Sequence, residues 1–271
     1  MDNFTEYEKG QVACIQKWEA TEPSIVAKAG NVVFKPVGWA LNKIIPRKLI
    51  EGALTSANSL GSALANKGDI LSEAKVESIE SLRNVDLRVC DNLANVVHNW
   101  ALGIAGVEGC AAGVAGALGI VVDIPSLITL AYRTVHKIGL CYGYECRSPE
   151  DKMFVNMVMS IASANTVKEK VVSLVSLQQI RVLIAKTTFK KMAEKAAQDK
   201  FSKESLVLFL RNFSKSLGEH LTKRKFMQAI PVVGAVVGAG MNTAYIQDVA
   251  WAARRCFQKR WLEDNGKILI K

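Results

Sequence analysis

Apolar residues recur at intervals of three and four along most of the chain, which is the period of an α-helix. No stretch alternates apolar and polar positions in the way that a half-buried strand does, and no hairpin signal separates two such stretches. The pattern predicts one all-α domain of about eight to ten helices over residues 1–271.

Several helix ends are marked by residues that cap helices. Pro46 opens the segment PRKLIEGALTSANSLGSALA, and SPED at 148–151 offers an N-cap serine, a first-turn proline and two acidic residues near the positive helix end. The segment 123–126 has the same order of residue types, which predicts that Asp123 caps a helix beginning at Pro125. Asn265-Gly266 marks the end of the last helix.

Two stretches are long enough and apolar enough to raise the question of membrane spans. Residues 92–132 contain only Glu108 and Asp123 as charged residues, and residues 226–247 contain none. Both stretches also carry asparagine, glutamine or histidine, which are rare inside a span of about twenty apolar residues. The sequence therefore favours buried helices over membrane-spanning ones.

Glycines are concentrated in the first of these stretches. If 103–121 forms one helix, four of its glycines fall within an arc of about 80° and leave a groove without side chains. These glycines are Gly106, Gly109, Gly113 and Gly116. The helix after Pro231 has Gly234 and Gly238 four residues apart, a spacing that permits close helix packing. We expect these two glycine-rich helices to cross in the core, with Asn242 on the same face bonded to the crossing helix.

Positive charge is concentrated in one region of the chain. The formal net charge is +10, and residues 181–225 hold twelve Lys or Arg against four acidic residues. Within that region Phe201, Phe209 and Phe213 recur at helical spacing, as in a basic amphipathic helix. Such helices bind anionic membrane surfaces, but a solvated face backed by a core-facing stripe gives the same pattern. No signature of an RNA- or DNA-binding module is present, so nucleic acid is not expected as a partner.

The residues predicted to contact an anionic leaflet lie in this basic region. They are Lys186, Lys190, Lys191, Lys195, Lys223, Arg224 and Lys225.

Catalytic patterns are sparse. His98, His136 and His220 lie far apart, there is no HExxH, CxxC, GxSxG or phosphate loop, and neither a metal nor another cofactor is expected. The six cysteines are scattered, which predicts reduced thiols. The weak candidates for a hydrolase are Glu108, Asp123, His136 and Tyr144. On one continuous helix the two carboxylates would stand about 22 Å apart, and only a break in the helix between them could bring them together.

Several segments together resemble one family. The run GVEGCAAGVAGALGIVVDIP, the junction from YGYE to SPED and the segment IPVVGAVVGAGMN ending in AARR and RWL are similar to the EcsC family, bacterial proteins named for a gene beside an ABC transporter. The resemblance extends more weakly to KIIPRKLIEGAL at 43–54 and LRNVDLRVCDNLA at 82–94, and it is absent between residues 167 and 225. It implies a mostly helical, often membrane-associated protein whose biochemical activity is not settled.

These observations lead to one expected function and two alternatives. The first ten residues, MDNFTEYEKG, lack the basic start and apolar run of a secretory signal, so we expect a cytoplasmic protein. We expect it to lie on the inner face of the membrane as a non-enzymatic peripheral protein that binds anionic lipid or a membrane protein, and a homo-oligomer is left open. The alternatives are a membrane-proximal hydrolase acting on lipid or peptide and a pore-forming effector.

Overall fold

The computed structural model describes residues 4–23, 47–114, 116–164, 166–193 and 231–270, and within these ranges it contains eight α-helices, one short 3₁₀ helix and no strand. The α-helices are α1 (Glu6–Ala20), α2 (Arg47–Leu64), α3 (Gly68–Ala74), α4 (Leu87–Val114), α5 (Gly116–Cys141), α6 (Pro149–Ala162), α7 (Val167–Ala193) and α8 (Pro231–Asp264). The 3₁₀ helix is Glu80–Asn84. The predicted all-α domain is confirmed.

Three long helices, α4, α5 and α8, form the centre of the fold. Gln258 and Gln247 of α8 contact Asp91 and His98 of α4, so α4 and α8 run antiparallel. Helix α5 folds back along α4, and α2 and α6 pack on α5 while α7 packs on α6. Aromatic side chains fill the space between these helices, and Tyr132, Tyr142, Phe154 and Phe257 are fully buried.

The glycine-rich stretch is a helical hairpin, not one helix. Helix α4 ends at Val114 and α5 begins at Gly116. The prediction that Gly106, Gly109, Gly113 and Gly116 share one groove is therefore wrong, because Gly116 belongs to the second helix. The two helices run antiparallel, because Arg133 and Lys137 of α5 lie over the ring of Trp100 in the middle of α4.

The predicted pairing of the two glycine-rich helices is confirmed by the packing of α4 on α8. A Cβ atom built on Gly106 would lie 3.5 Å from Oγ1 of Thr243, an ordinary contact distance, and Asn242 is fully buried. Gly234 and Gly238 belong to α8, and their surroundings, like those of Gly113, lie outside what the structure describes.

Asp123 is not a helix cap. It lies inside α5, and Pro125 is an interior residue of the same helix. An interior proline costs a helical hydrogen bond. The residues around Pro125 are apolar and buried, with Ile124, Leu127 and Ile128 at most 1% exposed. Burial of this segment keeps the helix continuous through the proline.

Two more of the predicted helix ends lie where the sequence places them. Ser148 is the N-cap of α6, and its Oγ accepts a hydrogen bond of 3.0 Å from the backbone N–H of Asp151. Helix α8 ends at Asp264, and Gly266 follows with φ of +66°, a left-handed conformation that glycine adopts without steric cost. Among the helices that the structure describes, none combines the length and the apolar character needed to cross a bilayer.

Candidate functional site

The outer face of α7 exposes a stripe of valines, together with two exposed charged residues of the first turn, Lys168 and Glu169. Four valines there have about half of their surface in water: Val167 (44%), Val171 (47%), Val172 (58%) and Val175 (54%). Between residues 170 and 185 no exposed position of α7 carries a charge. A solvated helix face normally carries charged residues, so an exposed apolar stripe marks a contact surface.

The opposite face of α7 is anchored in the core. Leu177 and Ile180 are buried, and the side chain of Arg181 is 3% exposed. Nε of Arg181 donates a hydrogen bond of 2.7 Å to Oε2 of Glu263, and Nη2 donates one of 2.6 Å to Oδ1 of Asp264. These two charge-assisted hydrogen bonds, one to each carboxylate, fix the rotation of α7 about its axis and thereby keep the valines outside.

A groove of about 440 Å³ lies between α6 and α7. Its described lining is mainly apolar, with Met153, Met157, Ile180 and Leu183, and its one charged member is Lys186.

A second groove, of about 450 Å³, lies between α1, α7 and the C-terminal residues and is lined by Ile15, Leu174 and Val175 among others. Lys259 and Glu19 form a 2.7 Å ion pair in this groove. The valine ridge of α7 therefore stands between two mainly apolar depressions.

The predicted leaflet-contacting residues fall partly within the described chain. Lys186 is exposed, two turns beyond Gln179, the last exposed uncharged residue of the outer face of α7. Lys190 and Lys191 belong to the same helix, and their side chains are not described. Lys195, Lys223, Arg224 and Lys225 lie outside the described residues, as does the amphipathic segment 201–213.

His136 lies in a buried network of neutral polar groups. Its Nε2 is 2.8 Å from Oδ1 of Asn58, and the amide nitrogen of Asn58 donates to Oδ1 of Asn156 (2.9 Å) and to the carbonyl of Lys152 (3.2 Å). Tyr132 also donates to Oδ1 of Asn156, at 2.8 Å. Oδ1 of Asn58 must therefore be the acceptor, so His136 carries its proton on Nε2. Burial lowers the pKa of His136 to about 4, which keeps the imidazole neutral at pH 7.

Tyr144 belongs to a different, charged network. Its hydroxyl donates to Oδ2 of Asp264 at 2.7 Å, and the guanidinium of Arg260 lies 4.1 Å from the centre of its ring. Nη2 of Arg260 is also 2.8 Å from Oδ1 of Asp151. Burial, and then the nearby charge of Asp264, raise the pKa of Tyr144. The phenol is therefore protonated at neutral pH and acts as a hydrogen-bond donor.

The capping residues of α6 extend this network. Ser148 donates a hydrogen bond of 2.8 Å to Oδ2 of Asp151. Burial of Asp151 opposes its ionisation, but the charge of Arg260 and the hydrogen bonds from Ser148 outweigh that cost and lower its pKa. Asp151 thus remains ionised and compensates the buried charge of Arg260.

The four catalytic candidates do not share one site among the described side chains. His136 contacts α2 and α6, whereas Tyr144 contacts the end of α8, and the two residues are 2% and 1% exposed. Glu108 on α4 and Asp123 on α5 lie near the turn of the hairpin, where the antiparallel register brings their backbones to the same level, but the side chain of Asp123 is not described. The two candidates whose surroundings are fully described therefore hold helices together and are not open to a substrate.

Asp91 is a buried polar residue that the sequence analysis did not identify. Tyr7 donates to its Oδ2 at 2.6 Å, Gln258 donates to its Oδ1 at 2.6 Å, and Tyr142 donates to the same Oδ1. Burial first, and the Asp91 carboxylate second, raise the pKa of Tyr7 and of Tyr142. The one sequence signal that could have pointed to Asp91 was its place among the apolar positions of LRNVDLRVCDNLA, where it is the second aspartate.

The cysteines of the described chain are free thiols. Cys14 and Cys110 are exposed, and the other four are buried. Burial raises the pKa of Cys90 and of Cys146 to about 12, so these thiols are not nucleophilic thiolates at neutral pH. No group of three or more His, Cys, Asp or Glu residues with the geometry of a metal site occurs in the part of the chain that the structure describes.

Comparison with known proteins gives a family match over almost the whole chain. The model of the EcsC protein family matches residues 9–262. The uncharacterized protein YdbA of Bacillus subtilis (strain 168) is 23% identical over 95% of this chain and 93% of its own length. Protein EcsC of the same organism is 20% identical over 86% of this chain and 87% of its own length. No solved structure matches.

Proposed function

The chain belongs to the EcsC family, and from that premise we propose that it is a non-enzymatic, peripheral membrane protein that docks on the anionic inner leaflet through the outer face of α7. The observation that carries the proposal is the half-exposed valine ridge of α7, which leads into Lys186 and then into the basic region 181–225. An apolar ridge followed by clustered cations combines the two attractions by which peripheral helices bind membranes.

The magnitudes are sufficient for reversible binding. Moving the exposed half of each valine out of water is worth about 1 kcal/mol, so the four valines supply about 4 kcal/mol. Each lysine near an anionic leaflet adds about 1 kcal/mol, and α7 carries Lys186, Lys190 and Lys191. A sum of about 7 kcal/mol corresponds to a binding constant above the roughly 10⁴ M⁻¹ of a single myristoyl chain.

The ridge and the cations make separable contributions. The charge contribution is screened as the Debye length falls from about 10 Å at 0.1 M salt to 3 Å at 1 M, whereas burial of valine persists. Binding to phosphatidylserine-rich vesicles should therefore weaken steeply with salt, and binding to neutral vesicles should be weak at every salt concentration.

Vesicle flotation with two sets of variants tests the proposal. Val171→Asp with Val175→Asp places two charges on the ridge, and we expect binding to phosphatidylserine-rich vesicles to fall by more than about tenfold. The quadruple charge reversal of Lys190, Lys191, Lys223 and Arg224 to Glu should eliminate binding at low salt.

The matched control is Leu60→Asp with Leu64→Asp, which adds the same two charges at apolar side chains of α2 that are 49% and 46% exposed. This variant should bind as the parent does. Undiminished binding by both the ridge variant and the quadruple variant would refute docking through α7. Binding that survives a carbonate wash would instead support insertion.

A further inference from the structure

A second exposed helix face, on α4, is also free of charge. Every exposed position between residues 89 and 111 is uncharged. The apolar members are well exposed, with Val89 at 41%, Val96 at 60% and Val107 at 73%. A solvated face of this length usually carries several Lys, Glu, Asp or Arg residues, so their absence indicates that the face is covered in the working protein.

The exposed residues of this face follow a heptad. Val89, Val96, Gly103 and Cys110 are spaced by seven residues, and Asn92 and Asn99 fall between them at the second seam position. With Val107 and Ala111 included, the whole set lies within an arc of about 120° on the helix. A narrow seam with this period is the pattern of a helix that packs along another helix.

We propose that two copies of this chain associate through this face of α4, with the two helices antiparallel and crossing at Gly103. The proposal is independent of membrane docking through α7. A seam of valine and asparagine is self-complementary, because valine packs against valine and an asparagine amide both donates and accepts hydrogen bonds. The seam contains no charged residue, so two identical seams can meet without repulsion between like charges.

Gly103 is suited to be the crossing point. A Cβ atom built on Gly103 would meet no atom of its own chain within 4 Å, so the absence of a side chain serves no contact inside the monomer. At a crossing of two helices, a glycine without a side chain allows the two backbones to approach closely. Because Val96 and Cys110 each lie seven residues from Gly103, an antiparallel pair places Val96 of one copy opposite Cys110 of the other.

A lipid surface suits this face less well than a helix does. Amides left without partners in an apolar phase cost free energy, and this seam holds two exposed asparagines within eight residues. The outer face of α7 differs in this respect, because Gln179 is its one exposed amide and its first turn carries an exposed cation, Lys168, beside Glu169.

Light scattering during gel filtration tests the association. The parent should elute with twice the 29.6 kDa mass of the chain. Gly103→Lys places two like charges at the crossing, and Val96→Lys places them within the seam, so both variants should raise the dimer dissociation constant by more than about tenfold. The matched control is Gly10→Lys in α1, where an added Cβ also meets no atom within 4 Å, and it should remain dimeric.

Cross-linking with a short bis-maleimide tests the geometry. In a Cys14→Ser background, Cys110 is the one exposed thiol among the described residues. Val96→Cys should then give a cross-linked dimer, and adding Cys110→Ser should abolish it. Equal cross-linking without Val96→Cys would overturn the antiparallel arrangement.

Three other outcomes overturn the association itself. The first is a parent that stays monomeric at every concentration up to its solubility limit. The second is a Gly103→Lys variant as dimeric as the Gly10→Lys control. The third is a Val96→Lys variant that loses vesicle binding while its oligomeric state is unchanged, which would assign the face to a leaflet.

Discussion

Gly61→Ala tests the closest approach between two helices of this fold. A Cβ atom at Gly61 on α2 would lie 2.7 Å from Cβ of Tyr132 and 2.8 Å from backbone N of Arg133, both on α5. Carbon atoms in good contact are about 3.5–4.0 Å apart, so α2 must move away from α5 by roughly 1 Å. Backbone atoms cannot rotate aside as a side chain does.

The expected loss follows from three contributions. Overpacking of a tight site costs about 1–3 kcal/mol, and alanine regains up to about 1 kcal/mol of helix propensity. The bond between Asn58 and His136 lies one turn away on the same pair of helices, and weakening a buried hydrogen bond adds about 1–3 kcal/mol. We expect the free energy of unfolding to fall by about 2–4 kcal/mol.

Gly52→Ala is the matched control, because it is the same substitution in the same helix. A Cβ atom at Gly52 would meet no atom within 4 Å, so this variant should gain about 0.5–1 kcal/mol from propensity alone. Urea titrations followed by far-UV circular dichroism measure both variants. Equal shifts of the same sign would refute the argument that the helices are in backbone contact at Gly61.

Two further predictions concern the buried networks. Because the pKa of His136 falls from an ordinary 6.5 to about 4 on folding, the unfolded chain binds a proton that the folded chain excludes. The corresponding stability should be complete above pH 6.5 and decline by about 2 kcal/mol between pH 7 and 5, and urea titrations should show a shallower decline for His136→Gln. Arg260→Ala leaves the partly buried charge of Asp151 without its cation and should cost about 3 kcal/mol or more of unfolding free energy in the same assay. Arg147→Ala removes an exposed arginine from Glu145, which keeps its ion pair with Lys67, and should cost less than about 1 kcal/mol; equal losses for the two arginines would contradict the assignment of a buried network.

The helical architecture was predictable because period, caps and composition agreed. Ser148 and Gly266 have the conformations that their residue types favour, and the glycine-rich helices α4 and α8 pack together as expected. The separation of this stretch into α4 and α5 was not predictable, because glycine permits a helix and a turn alike and tertiary packing decides between them. The same tertiary preference overrides the cap signal of Asp123 and Pro125.

The buried networks were much less accessible to sequence reasoning. His136 and Tyr144 were identified as residues with chemistry, but nothing in the spacing indicated that their partners would be Asn58 and Asp264, 78 and 120 residues away. Such long-range pairs depend on the order in which helices pack. The sequence also does not show which valines are exposed to solvent. The exposed valines of α4 and α7 follow the same helical period as buried ones and are distinguished only once the core is known.

The segments that carry the family resemblance meet inside the molecule. Tyr144 of YGYE, Asp151 of SPED and Arg260 of RWL form one cluster of ring, carboxylate and guanidinium around the end of α8. The proposed contact surface on α7 lies instead in the region 167–225, outside the segments that point to the family by eye, although the family model spans this region as well. Substitutions in this cluster should therefore change the stability of the fold, whereas substitutions on the outer face of α7 should change vesicle binding. Arg260→Ala should lower the fraction of folded protein while each folded molecule still binds vesicles, and Val171→Asp with Val175→Asp should leave the unfolding curve in place and remove the binding. Loss of both properties together in either variant would mean that α7 docks through the same residues that hold the fold.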